Sequence, residues 1–237
     1  MGIDVRRGSE RFLTSSPGRV TRHSFSFGPH YDPENLGFGP LVCHDDHTLD
    51  PGAGFPDHRH SDVEIVTWVV RGALSHDGSS LLRPGQVAVQ SAGSGVVHSE
   101  RAAGVPTRFL QAWLRPDAPG GAPVRDVADV AVAAGRWTPL VGPDAPLAVG
   151  VAGAALAGVR LERGRRVRLP VAPLVHLHVT TGAVTADEEP LAEGDALRVS
   201  GGASVEVVGA EEALLLAWSF AAPMSFGVDA GRTHLAD

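Results

Sequence analysis

The sequence predicts an all-β chain folded as two β-barrel domains in tandem, on three observations. Seven short segments rich in β-branched and aromatic residues are spread along the 237 residues. Gly (29) and Pro (18) separate nearly all of them, well above the usual share of about 12% for the two together. Regular short strands punctuated by turns indicate a sandwich or barrel. The stretch Arg115–Pro123 (RPDAPGGAP) then divides the chain into halves of similar length, because so many Pro and Gly suit neither strand nor helix. The expected domains are residues 1–120 and 121–237.

The elements follow in order. Val63–Val70 (VEIVTWVV) is β-branched and aromatic and ends at Arg71-Gly72. Gln86–Gln90 alternates after the turn at Arg83-Pro84-Gly85, and Phe109–Leu114 alternates up to Arg115-Pro116. Leu174–Thr180, Ala196–Ser200, Ser204–Val208 and Ala213–Phe220 have the same character in the second half. Only Val124–Ala134 has spacing that suits a helix. An internal echo links the halves: strand, Gly72, then Leu82-Arg83-Pro84-Gly85-Gln86 in the first, and strand, Gly182, then Leu191-Ala192-Glu193-Gly194-Asp195 in the second.

Composition excludes several chemistries. All 20 basic residues are Arg, so there is no lysine for a Walker A loop, a Schiff base or pyridoxal phosphate attachment. The single Cys43 excludes a disulfide within the chain and a Cys-based zinc site, and points to a reducing, cytoplasmic compartment. A net charge of −7 argues against direct nucleic-acid binding. The N-terminus has no apolar signal region. The longest apolar run, Leu147–Val159, is too short for a membrane span of about 20 residues and reads as core.

The 11 histidines are unevenly spread, with eight before residue 118: His23, His30, His44, His47, His58, His60, His76 and His98. Two clusters stand out, His58-Arg59-His60 and His98-Ser99-Glu100. Side chains alternate along a strand, so His58 and His60 share a face roughly 7 Å apart, as do His98 and Glu100. Either pair alone is an ordinary strand pair. If neighbouring strands aim both inward, three imidazoles and one carboxylate converge, close to the 2-His-1-carboxylate arrangement with one His added.

Gly52-x5-His58-x-His60-x3-Glu64 resembles the first motif of the cupin superfamily. More narrowly, the chain resembles the pirin family of bicupins. The matching segments are Arg22–Gly28 (RHSFSFG), Gly37–Leu41 (GFGPL), Gly54–His60 (GFPDHRH), Glu64–Thr67 (EIVT), Ala92–Glu100 (AGSGVVHSE) and Leu110–Trp113 (LQAW). Leu191-x-x-Gly194-Asp195-Ala196 resembles the family's second cupin more loosely. The resemblance implies two jelly-roll-type cupin barrels, the first binding a metal. It implies the ligands His58, His60, His98 and Glu100, with Glu64, the carboxylate ligand of other cupins, as the alternative or an outer-sphere partner. It implies one divalent transition metal, iron(II) first, with Mn, Ni, Co, Cu or Zn as alternatives.

The implied function is a metal-dependent dioxygenase resembling quercetin 2,3-dioxygenase. A flavonol-like substrate would lose its 3-hydroxyl proton to Glu100 and be opened by O2 with loss of carbon monoxide. The alternative is a non-catalytic, iron-responsive regulator acting through protein partners. Two departures bear on the substrate. Arg59 and Ser61-Asp62 stand where the family has Pro and Arg-Gly, and the hairpin after His76 is shortened to Asp77-Gly78-Ser79-Ser80.

His176 and His178 form a second H-x-H pair with no downstream His-x-Glu, which reads as a structural repeat without metal. Trp68 and Trp113 read as core, since buried aromatics dominate cores. There is no G-x-S-x-G elbow, and Gly37-Phe38-Gly39 and Gly52-Ala53-Gly54 lack the third glycine of a dinucleotide fingerprint.

Overall fold

A computed structural model describes residues 2–221; the last part of the expected second domain, with His234, lies outside the described residues. The first half contains β1 (Gly2–Arg6), β2 (Phe12–Ser16), β3 (Arg19–His23), β4 (Leu41–Leu49), β5 (Gly54–His60), β6 (Glu64–Arg71), β7 (Leu74–His76), β8 (Ser80–Leu82), β9 (Gln86–Ser91), β10 (Val96–Ala102) and β11 (Thr107–Leu114). The second contains β12 (Val124–Asp129), β13 (Thr138–Val141), β14 (Ala154–Leu161), β15 (Arg166–Arg168), β16 (Leu174–Thr181), β17 (Ala183–Ala186), β18 (Glu189–Ala192), β19 (Ala196–Ser200), β20 (Glu206–Gly209) and β21 (Ala213–Phe220). Among the described residues there is no α-helix, only a 3-10 turn at Gly8–Glu10.

The strands form two pairs of sheets, one pair per cupin barrel. The first pair has a seven-stranded sheet in the order β12-β9-β6-β11-β4-β3-β2 and a four-stranded sheet β5-β10-β7-β8. The second has a six-stranded sheet β1-β19-β16-β21-β14-β13 and a four-stranded sheet β15-β20-β17-β18. The internal echo survives as geometry. Gly72 (φ +82°) and Gly182 (φ +79°) turn β6 into β7 and β16 into β17; Gly85 and Gly194 (both φ +88°) precede β9 and β19. A left-handed φ is cheap only for glycine, so the same two turns recur in each half.

Two expectations differ from the structure. Val124–Ala134 is not helical: Val124–Asp129 is a strand hydrogen-bonded to β9. Its β-branched Val124 and Val127 favour extended backbone once a free edge is available. The N-terminal segment also departs from a division at residue 120. β1 pairs antiparallel with β19, from Gly2↔Ser200 to Arg6↔Ala196, so residues 2–11 belong with the second barrel. Asp195 fixes this strand's end, accepting from the Gly8 N–H (2.7 Å) and from Arg7 (3.0 Å), which also bonds Glu189. Nothing local in the sequence signals such a long-range edge pairing.

The core of the second barrel joins Val175, Leu177 and Val179 of β16 with Leu197, Val199, Leu215, Val184 and Leu191, between its two sheets. His176 and His178 alternate with those three and are buried on the opposite face of β16, where His176 lies across from Arg198 and Trp218. Strand alternation therefore turns this H-x-H pair away from the barrel interior.

Inside the first barrel, His47 stacks on Phe109 (4.6 Å) and meets the edge of Phe55 (5.1 Å), with Nδ1 hydrogen-bonded to Thr21 Oγ1 at 2.8 Å. Burial lowers its pKa to about 4. The unfolded chain, with His near 6.5, then binds the extra proton first, so stability falls as pH drops from about 6.5 to 4. The expected loss from His47 alone is on the order of 3 kcal/mol at pH 4. Urea midpoints of the wild type and His47→Gln at pH 7 and pH 4.5 test this: the variant should lose less on acidification, and equal losses would refute it.

Candidate metal centre

β5 and β10 are antiparallel neighbours, and their register sets the site. His98 lies directly opposite His58, and Val96 opposite His60. A bulge follows: Glu100 lies opposite Phe55, so Pro56 and Asp57 together face Ser99. Pro56 suits a bulge because it has no N–H to contribute to the ladder. Its freed carbonyl accepts a hydrogen bond from His58 Nδ1 at 2.7 Å. A carbonyl only accepts, so Nδ1 carries the proton and His58 Nε2 is a lone pair. Gly54 lets β5 close onto β10, since a Cβ there would lie 2.6 Å from the Arg101 Cα.

The result is a cluster of three imidazoles. Ligand atoms of His58, His60 and His98 lie within 4.8 Å of one another, the one group of three or more such donors among the described residues. His98 Nε2 is 3.1 Å from His58 Nε2. Two lone pairs across that gap repel unless a proton or a cation sits between them. His60 Nε2 is buried without any hydrogen-bond partner, an arrangement that costs about 1–3 kcal/mol if nothing satisfies it. These observations fit a divalent cation at the cluster. Burial, reinforced by the neighbouring imidazoles, lowers the pKa of His98 to about 3 and that of His60 to about 4. Both are therefore neutral at pH 7, with lone pairs free to coordinate.

Glu100 shares the His98 face of β10 and is buried. Both its oxygens accept from Gln111 Nε2 at 3.0 Å, and it stays outside the three-imidazole group. Burial raises its pKa to about 7, against the opposing Gln111 hydrogen bond and the half-buried Arg125 guanidinium. Glu64 is placed elsewhere. On β6, Thr67 pairs with Gln111 and hydrogen-bonds it, so Thr67 faces the site. Glu64, three residues away, has the opposite parity; it is buried and accepts from Ser91 Oγ at 2.6 Å. Strand alternation thus turns Glu64 to the face of β6 opposite Thr67 and Gln111.

Three further residues belong to the site. Trp113 is not simply core: its ring meets His60 edge-on at 4.8 Å, and its Nε1 donates to Gln111 Oε1 at 2.9 Å. Trp68 is buried, as expected. Gln111 was detectable as a polar residue set between Phe109 and Trp113 on one face of its strand. His76 lies opposite Glu100 on β7, the other neighbour of β10, with its Nε2 at 2.9 Å from His98 Nδ1. Only the sheet pairing reveals it.

The comparisons with known proteins agree with this architecture. Residues 6–114 match the family model described as pirin, and residues 152–218 match the quercetinase C-terminal cupin domain. A Mycobacterium tuberculosis protein provisionally named a quercetin 2,3-dioxygenase is 38% identical over 235 residues, covering 94% of this chain and 96% of its own length. A quercetin 2,3-dioxygenase of Escherichia coli is 33% identical over 127 residues, 51% of this chain and 55% of that protein. The crystal structure of the Escherichia coli bacterial pirin YhhW in complex with nickel(II) superposes with a TM-score of 0.86 at 26% identity, covering 93% of this chain and 99% of that one.

Proposed function

Because the chain belongs to the pirin family of two-domain cupins, we propose that it is a divalent-metal-dependent dioxygenase that opens a flavonol or related enolic substrate with O2. The reading rests on one observation above the others: three imidazoles from β5 and β10 converge beside a buried carboxylate on the same strand face. His58, His60 and His98 hold the ion, with Glu100 as the fourth donor. Bound there, a divalent metal supplies the Lewis acidity that lowers the pKa of a coordinated hydroxyl.

The remaining chemistry belongs to the chain. Pro56 O fixes His58 in the tautomer that offers Nε2. Glu100 accepts the substrate hydroxyl proton; a carboxylate has two oxygens, so donating with one does not prevent the other from acting as base. Gln111 steadies that carboxylate, and Trp113 in turn fixes the Gln111 amide. Trp113 and Phe55 wall the imidazoles with aromatic surface, which orients a flat substrate and limits water.

The test loads metal-free protein anaerobically with Fe(II), Mn(II), Ni(II), Co(II) or Cu(II), adds quercetin and admits O2. Stoichiometric O2 uptake with release of carbon monoxide is expected for at least one metal. Absence of turnover with every metal, on quercetin and on a panel of other enolic compounds, overturns the proposal.

A further inference from the structure

His98 uses both ring nitrogens. Nε2 faces the cluster, 3.1 Å from His58 Nε2, and Nδ1 faces His76 Nε2 at 2.9 Å. Beyond it, His76 Nδ1 lies 3.2 Å from Asp77 Oδ2. Asp77 is itself clamped to the backbone of β10: its Oδ1 accepts from the Ser99 N–H at 2.7 Å and its own N–H donates to Ser99 O at 3.0 Å. These contacts hold it at a φ of +51°, in the left-handed region.

The proton positions follow from what each group is able to do. The Asp77 carboxylate 3.2 Å away places negative charge beside His76 Nδ1 and favours the proton on that nitrogen, so His76 Nδ1 is the N–H. A neutral His76 then has a lone pair at Nε2 and accepts, so His98 Nδ1 is the N–H. His98 Nε2 is left as a lone pair directed at His58 and His60. One carboxylate at the hairpin tip thus sets, through two imidazoles, the donor atom offered at the cluster. For His58 a single backbone carbonyl does the same in one step.

We propose that Asp77 and His76 are positioning residues that hold His98 in the metal-binding tautomer. The inference rests on the metal site proposed above and assigns neither residue a direct contact with substrate or ion.

Asp77→Asn is the informative variant. The Ser99 N–H still needs an acceptor, so the amide oxygen stays there and the NH2 turns to His76. An NH2 only donates. His76 must then offer a lone pair at Nδ1, carry its proton at Nε2 and donate to His98 Nδ1. That puts N–H on His98 Nε2, which cannot coordinate. The expected result is a Kd for Ni(II) or Zn(II) raised 10- to 100-fold, the range for lost outer-sphere partners. The Asp77 side chain is 44% exposed and the exchange is isosteric, so the fold should not change.

Removing a negative charge near a cation also weakens binding, and a second background separates the two causes. In His76→Gln the side-chain oxygen accepts from His98 Nδ1 whatever faces its other end. Adding Asp77→Asn in that background should then change metal affinity little. Calorimetric titration of the four proteins with Ni(II) or Zn(II) gives the cycle. An equal loss from Asp77→Asn in both backgrounds would mean charge alone and overturn the relay; so would wild-type affinity in Asp77→Asn. If the wild type binds no metal at these histidines, it is the metal-site reading that fails. Nitrogen-15 NMR of the zinc-loaded wild type is independent of any variant's folding: His98 must show a protonated Nδ1 and a coordinated Nε2, and the reverse assignment overturns the proposal.

Discussion

Replacing His60 by alanine is expected to weaken Ni(II) binding by more than ~100-fold, beyond the 10- to 100-fold typical of losing an outer-sphere partner. His60 Nε2 is buried and unpartnered, so the substitution breaks no hydrogen bond at that atom. What it removes is a donor to the ion. Two readouts follow. Metal added to the wild type should raise its Tm, with about 2.7 kcal/mol of stabilisation at a hundredfold excess over Kd, and should leave the variant unmoved. Trp113, 4.8 Å from the His60 ring, should lose fluorescence when paramagnetic Ni(II) or Cu(II) binds the wild type, and keep it in the variant. Tight, stoichiometric Ni(II) binding by His60→Ala would remove the imidazole cluster as the metal site.

Glu100→Gln is expected to lower kcat by about 10²- to 10⁴-fold, the usual contribution of a positioned general base. A carboxamide accepts a hydrogen bond but takes up no proton at neutral pH. Its one oxygen still accepts from the Gln111 amide, in a side chain of the same shape. KM should move little if substrate binding depends on the imidazole-bound ion and the aromatic wall. Glu64→Gln provides the contrast: it keeps the Ser91 hydrogen bond on the other face of β6 and should alter kcat by no more than a few-fold. Steady-state O2 uptake on both variants decides the matter. Full activity in Glu100→Gln would exclude it as the base, and a large loss in Glu64→Gln alone would transfer that role to the other carboxylate.

The sequence carried much of this site because its donors come in i, i+2 pairs. His58 with His60, and His98 with Glu100, share a face by backbone geometry alone, and each pair sits in a strand bounded by Gly or Pro. The glycines at 72, 85, 182 and 194 were equally legible, since their left-handed turns mark the same strand sequence in both halves. His76 and Asp77 were not. His76 becomes relevant only because β7 takes the second edge of β10 and sets it opposite Glu100. The H-x-H spacing of His176 and His178 matches that of His58 and His60, yet it could not tell which face each pair would take.

By itself, then, the sequence determined the all-β character, the two-barrel repeat and the pairing of donors within each strand, because covalent alternation and turn chemistry act over a few residues. Tertiary structure decided how those pairs meet: the bulge at Pro56, the His98–His58 register, the turning of Glu64 and of His176 and His178 out of the barrels, and the docking of β1 onto β19. Strand register and facing depend on hydrogen bonds and buried area shared between segments far apart in the chain, and no local window contains both partners.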